Sequence, residues 1–169
     1  MEDVYGTRWV TQMAQVLVCE ILELMSGIQL RQHPSWMETA GDKRLEAIYG
    51  FVNGDYQIEL RFLAEPHLFF RLAQNMIGRE PKEEEVQDYA MEFFNVLCGR
   101  FISELYKATN TSARFFPTKY ESSLDVTILS EEPSLSTIYF ISDKQELAAF
   151  SWTATPVEDL LRRSMDVKA

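Results

Sequence analysis

The sequence predicts an α+β fold in which long helices pack against a largely antiparallel sheet of about six strands, built as two similar halves. Three observations carry this reading. Apolar residues recur at helical spacing over residues 4–25 and 84–109. An Asn53-Gly54 pair stands between two apolar runs, a strong short-range hairpin signal. The predicted elements follow the order helix, three strands, helix, helix, three strands, helix, which suits helices gathered on an antiparallel sheet.

The first helix is expected over residues 4–25. Val10, Met13, Leu17, Ile21 and Leu24 recur at three and four residues and form one stripe to bury. Gly27 follows where a left-handed C-cap residue belongs. A short strand is expected at 28–32, a loop at 34–42, and the hairpin strands at 45–52 and 56–63. Pro66 opens the second helix, because its fixed φ suits a first helical turn, and Gly78 ends it. A charged loop leads into the third helix at 84–109. Strands are expected at 124–129, 137–141 and 147–152, and Pro156 opens a last helix that ends near Met165. Glu20, Glu23 and Gly27 on the first helix share the spacing of Glu92, Asn95 and Gly99 on the third, a hint of duplication. The chain reads as a single domain over 1–169, with a core over about 10–153 and a helical extension over 154–169.

Composition narrows the function. The 169 residues are 46% hydrophobic and 25% charged, which fits one domain with a real core. A net charge of −10 at pH 7 argues against nucleic acid, whose phosphates need clustered Lys and Arg, and against an anionic membrane surface. The N-terminus carries no signal-peptide pattern, and no segment reaches the ~18 apolar residues of a membrane span. Cys19 and Cys98 lie in apolar helical stretches, as small buried thiols in a reducing compartment do. A cytoplasmic location is therefore expected.

The third helix concentrates the chemistry. At 3.6 residues per turn, Asp88, Glu92, Asn95 and Gly99 fall within about 60° of one another. Val86, Ala90, Phe93, Leu97 and Phe101 take the opposite side. Solvated helix faces also carry Glu and Asn, so E-x-x-N by itself decides little. Gly99, however, stands mid-helix, where it costs ~1 kcal/mol relative to Ala. It removes bulk that would keep another backbone away.

Residues 88–99, D-Y-A-M-E-F-F-N-V-L-C-G, followed by F-F-P-T at 115–118, resemble the signature of the CheC/CheX/FliY chemotaxis phosphatases. Asp88, Glu92, Asn95 and Pro117 match its Asp, Glu, Asn and downstream proline, and Gly99 matches a glycine after the Asn. The stretch E-P-H-L-F-F-R-L-A-Q-N-M-I-G also looks like the family's second helix. The resemblance implies hydrolysis of the aspartyl phosphate of a CheY-like response regulator. It implies that Asn95 orients the attacking water and Glu92 pairs with the regulator's active-site Lys. Asp88, Gly99 and Pro117 support the motif. No cofactor of the protein's own is implied, Mg²⁺ being supplied by the regulator. Position 23 on the first helix is Glu rather than Asn, which implies one active site, as in CheX-like members, and with it a homodimer.

Between Glu92 and Asn95 stand Phe93 and Phe94, where the family tends to have a small residue before the Asn. Phe94 points about 100° away from Asn95. A non-catalytic scaffold or regulator-binding module is the alternative reading. His33 and His67 have no neighbours at zinc spacing, and no P-loop, dinucleotide, zincin or nucleophile-elbow motif is present.

Overall fold

The computed structural model describes residues 4–34, 43–125 and 134–168. Helix α1 spans Val4–Ser26 and ends at Gly27, whose φ of 72° lets its N–H reach Glu23 O at 2.8 Å. Strand β1 is Leu30–His33, β2 Arg44–Gly54 and β3 Gln57–Ala64. Helices α2, Pro66–Ile77, and α3, Glu83–Thr109, follow, then β4 at Ala113–Asp125, β5 at Leu135–Ser142, β6 at Leu147–Thr153 and α4 at Ala154–Lys168. The expected α+β order is observed. The sheet is antiparallel in every pair and runs β1-β5-β6-β3-β2-β4. Exchanging the first three strands with the last three reverses this order onto itself, which fits the expected two halves.

One sheet face carries the helices. Ile48, Val52, Ile58, Leu60, Phe62, Ile138, Phe140, Phe150 and Trp152 point into the main core, where α1, α2, α3 and α4 meet them. Burying such side chains contributes about 1.5–3 kcal/mol each. Alternate residues of the same strands, among them Leu45, Ala47, Leu63, Leu147 and Ala149, form a second buried cluster. Helix α4, read from sequence as an extension, adds Val157, Leu160 and Leu161 to the main core.

Three local expectations change. Leu24, expected in the buried stripe of α1, is 83% exposed. The buried row in that half is Ala14, Val18, Leu22 and Ser26, and steps of four drift about 40° around the helix each time. The Asn53-Gly54 pair does not form the tight turn. Asn53 pairs with Gln57, so the reversal falls on residues 54–56. Gly54 is instead needed for close approach, since a Cβ there would lie 2.6 Å from Ala113 Cα. The strand expected at 124–129 begins at Ala113, and its part beyond Asp125 lies outside the described residues. Pro117 masked this strand from sequence. It is tolerated because β4 is a sheet edge and the β2–β4 register slips between Tyr49 and Gly50, opposite Pro117.

A buried ionic cluster pins α2 to the β5–β6 turn. Arg71 Nη2 donates to Glu146 Oε1 at 2.6 Å and to Asp143 Oδ1 at 2.7 Å. Ser142 Oγ donates to Glu146 Oε1 at 2.7 Å, and His67 Nδ1 lies 2.6 Å from Glu146 Oε2. Burial alone would raise the Glu146 carboxyl. Hydrogen bonds from Arg71, Ser142 and His67 outweigh it and hold the group below its usual range.

Removing one partner leaves the other charge buried, so Arg71→Ala should cost about 3–5 kcal/mol in urea unfolding followed by Trp fluorescence. Because the folded Glu146 pKa is depressed, its contribution is present above the unfolded value of about 4.3 and is lost as pH falls through the lower folded value. The urea midpoint should drop on acidification below about pH 4.3. Glu146→Gln should flatten that drop, and an unchanged acid slope in the variant would place it elsewhere.

Candidate functional site

Helix α3 is set by its two ends and its buried side. Gly78, at φ 83°, closes α2 and turns the chain toward α3. Glu85 then accepts the Lys82 N–H at 3.1 Å and grips Arg79 through both oxygens, at 2.6 and 3.0 Å. The Arg79 contact, with the Lys82 N–H after it, lowers the Glu85 carboxyl to about 2. Three acidic residues, Glu83, Glu84 and Glu85, occupy the first turn, where the helix dipole favours negative charge. At the far end Asn110 takes the left-handed cap at φ 55°.

The buried side is aromatic. Phe93, Phe94 and Phe101 are fully buried. Phe93 meets Phe62 edge-on at 5.0 Å, Phe94 meets Phe115 at 5.7 Å, and Phe101 meets Phe150 at 5.6 Å. Phe93 and Phe94 are therefore core residues and form no part of the outer face.

The outer face carries the expected stripe. Asp88, Glu92 and Gly99 are exposed, and Asn95 is half-buried. A Cβ on Gly99 would meet nothing within 4 Å, so no packing inside the chain requires the glycine. Asn95 Oδ1 is covered and has no hydrogen-bond partner, one of two such buried side-chain atoms among the described residues, the other being Tyr56 Oη. An unmet buried acceptor costs about 1–3 kcal/mol. Turning the carboxamide over would exchange Oδ1 with Nδ2.

Pro117 lies on β4, not on α3, with its backbone opposite Gly50 at the break in the β2–β4 register. On α1, Glu20 is exposed like its counterpart Glu92, Glu23 is exposed where its counterpart Asn95 is half-buried, and Gly27 caps its helix whereas Gly99 sits inside one. One residue behind the stripe, Gly50, has no part in the expected motif. Gly50 has no room for a side chain, because a Cβ would lie 2.1 Å from Phe115 Cε2 and 2.9 Å from Phe94 Cε1. An isolated glycine inside a strand pattern, Tyr49-Gly50-Phe51, was the available signal.

His67 is 66% exposed on its side chain and belongs to the Glu146 cluster. Among the described residues no group of three or more His, Cys, Asp or Glu side chains could hold a metal ion. Burial raises both thiols, Cys98 far more than the half-buried Cys19. Among the described residues no helix is long and apolar enough to cross a membrane.

An α+β domain that presents an open carboxylate–carboxamide stripe on one long helix is the class these features define. The family model for the chemotaxis phosphatase CheX matches residues 47–137. The chain belongs to that family. Solved structures agree on the fold. Chemotaxis protein CheX from Vibrio vulnificus matches at 18% identity and TM-score 0.68, over 85% of this chain and 95% of that one. A CheX–CheY–BeF₃–Mg²⁺ complex from Borrelia burgdorferi matches at 10% identity and TM-score 0.60, over 85% and 96%. The FliM middle domain from H. pylori matches at 10% identity and TM-score 0.65, over 96% and 98%. No curated protein sequence matches the chain.

Because nothing inside the chain uses the space at Gly99, Gly99→Ala should raise stability by about 0.5–1 kcal/mol through helix propensity alone. Urea denaturation reads this directly, and a loss of stability would show that the site is packed.

Proposed function

We propose that this chain hydrolyses the aspartyl phosphate of a phosphorylated CheY-like response regulator, through one site on α3. The observation that carries the reading is the stripe itself: Glu92 exposed, Asn95 half-buried one turn on, and open space at Gly99. Membership in a family of chemotaxis phosphatases supports the activity. The Borrelia burgdorferi complex, which brings CheX together with CheY, BeF₃ and Mg²⁺, supports the partner and a metal that arrives with it.

The chemistry follows from the residue types. Water attacks phosphorus in line, the phosphorus–acyl oxygen bond breaks, and the regulator's aspartate and inorganic phosphate are released. Such a transfer depends mainly on positioning and charge stabilisation. The Asn95 carboxamide both donates and accepts, and adds no negative charge beside the phosphoryl group. Glu92 docks the helix by pairing with the regulator's active-site Lys, while Asp88 and Pro117 shape the surroundings. Gly99 lets the partner's backbone approach. Glu23 at the matching place on α1 is acceptor-only and repels phosphate, so α1 adds no second site. The chain acts as one domain, α4 included, in the cytoplasm and as a homodimer, since pairing edge strands removes an exposed ladder. The half-burial of Asn95 favours a second reading, a regulator-binding module without turnover.

Phosphate release measured across phosphorylated CheY-like regulators of the same genome tests the activity. Asn95→Ala should abolish assisted dephosphorylation and leave binding nearly unchanged, because a transition-state interaction is lost. Glu92→Ala should weaken docking by about 2–5 kcal/mol, the loss typical of one partner of a desolvated charge pair. Full turnover in Asn95→Ala would hand the site to the non-catalytic reading. Gly99→Ala should weaken binding even as it stabilises the fold. Light scattering should give about twice the 19.6 kDa chain mass, and a monomer mass at high concentration would refute the dimer.

A further inference from the structure

Behind the stripe, three residues from three elements occupy one small volume. Phe94 on α3 projects toward the β4 edge of the sheet and meets the Phe115 ring at 5.7 Å and 73°. Phe115 stands opposite Val52 in the ladder, and its ring reaches diagonally across β2 to Gly50, two residues along. That ring lies where a Gly50 side chain would be: a Cβ there would sit 2.1 Å from Phe115 Cε2 and 2.7 Å from Cζ. The same Cβ would lie 2.9 Å from Phe94 Cε1. Large side chains at 94 and 115 are thus matched by a missing one at 50.

Phe94 is the residue immediately before Asn95. Helix α3 has few ways to turn about its axis, and an edge-on ring beside a glycine is a restraint on that turn. A carboxamide stands about 5–6 Å from a helix axis, so a rotation of about 10° carries it roughly 1 Å. A misplacement of about 1 Å can lower a catalysed rate by about 10²-fold.

We infer that the Phe94–Phe115 pair, seated over the side-chain-free position of Gly50, is a clamp that sets the rotation of α3 and thereby places the Asn95 carboxamide, with Phe115 as a positioning residue. Its kinetic consequence rests on the phosphatase reading above, while its structural content does not. Rotation of α3 moves Glu92 and Gly99 together with Asn95, but rate is the more sensitive readout, because an in-line water must be placed within about 1 Å whereas an exposed, flexible Glu92 side chain can follow its partner.

Two measurements on the full chain test it. The first is turnover of the phosphorylated CheY-like regulator that responds best to the wild-type protein. Phe115→Ala should lower the saturated rate about ten- to a hundredfold, with half-saturation changed less than about threefold. Phe115→Leu keeps a branched apolar group over Gly50 and should keep most of the rate. Gly50→Ala pushes the ring aside and should reproduce the loss, so it decides the matter if Phe115→Ala does not fold. A folded Phe115→Ala or Gly50→Ala protein with wild-type turnover, or with lost affinity instead of lost rate, overturns the clamp.

The second measurement needs no regulator. Side-chain amide NMR signals of Asn95 are identified by their loss in Asn95→Ala. They should shift in Phe115→Ala and Gly50→Ala, while those of exposed Asn110 stay in place. Unmoved Asn95 signals overturn the clamp whatever the activity. Full activity in Asn95→Ala, with the Asn95 signals moved in Phe115→Ala and Gly50→Ala, would instead refute the role of Asn95 in turnover and leave the structural clamp standing.

Discussion

The seating of α3 on the sheet is the contact on which the rest depends. Phe93, Phe94 and Phe101 meet Phe62, Phe115 and Phe150, a ring on the helix against a ring on a strand each time. Each edge-to-face pair adds about 0.5–1.5 kcal/mol beyond the area it buries. The consequence is orientation. A helix with a 3.6-residue period that buries Phe93, Phe94, Leu97 and Phe101 must turn Asp88, Glu92 and Gly99 outward. The outer stripe is the geometric complement of the aromatic core, and no separate device is needed to expose it.

The sheet meets this helix by omission. Gly50 leaves space for rings, Gly54 lets the start of β4 come close, and Pro117 sits on an edge strand where its missing N–H does least harm. The register slip opposite Pro117 keeps β4 paired with β2 on both sides of the proline. Elsewhere the fold relies on charge. Arg71 and Glu146 satisfy one another in a buried setting, with exposed Asp143 bonding the guanidinium from outside, and join α2 to a turn about 75 residues further along the chain.

What could be read from the sequence follows this division. The sidedness of α3 depends on residues within one helix, so periodicity exposed it, along with the element order and the caps at Gly27 and Gly78. Glu92 and Asn95 stand out as candidates by their place on that helix and by a family motif. The errors arose where a distant segment decided. Asn53-Gly54 reads as a two-residue turn, but Asn53 stays in the ladder opposite Gln57 and the reversal shifts to residues 54–56, with β4 packed against Gly54. Pro117 reads as the end of a strand until the sheet places it at an edge. Leu24 reads as buried until the packing of the second half of α1 selects the Ala14–Val18–Leu22 row. The Arg71–Glu146 contact has no local pattern at all, and Phe115 matters only because Gly50 lies beneath it.

Two features of the stripe lower stability without compensation inside the chain. Gly99 costs ~1 kcal/mol against alanine in a helix where a methyl group would have free space. Asn95 holds a covered carbonyl oxygen with no donor, at about 1–3 kcal/mol. A face selected only for solubility would show neither, since alanine fits at 99 and a longer polar side chain at 95 would reach water. Both sit on one side of one helix, one turn apart, next to the exposed carboxylate of Glu92. Of the two, only Gly99 leaves open space on the surface, while the Asn95 oxygen is covered by the chain itself. A helix that carries these penalties outward is held in place from beneath.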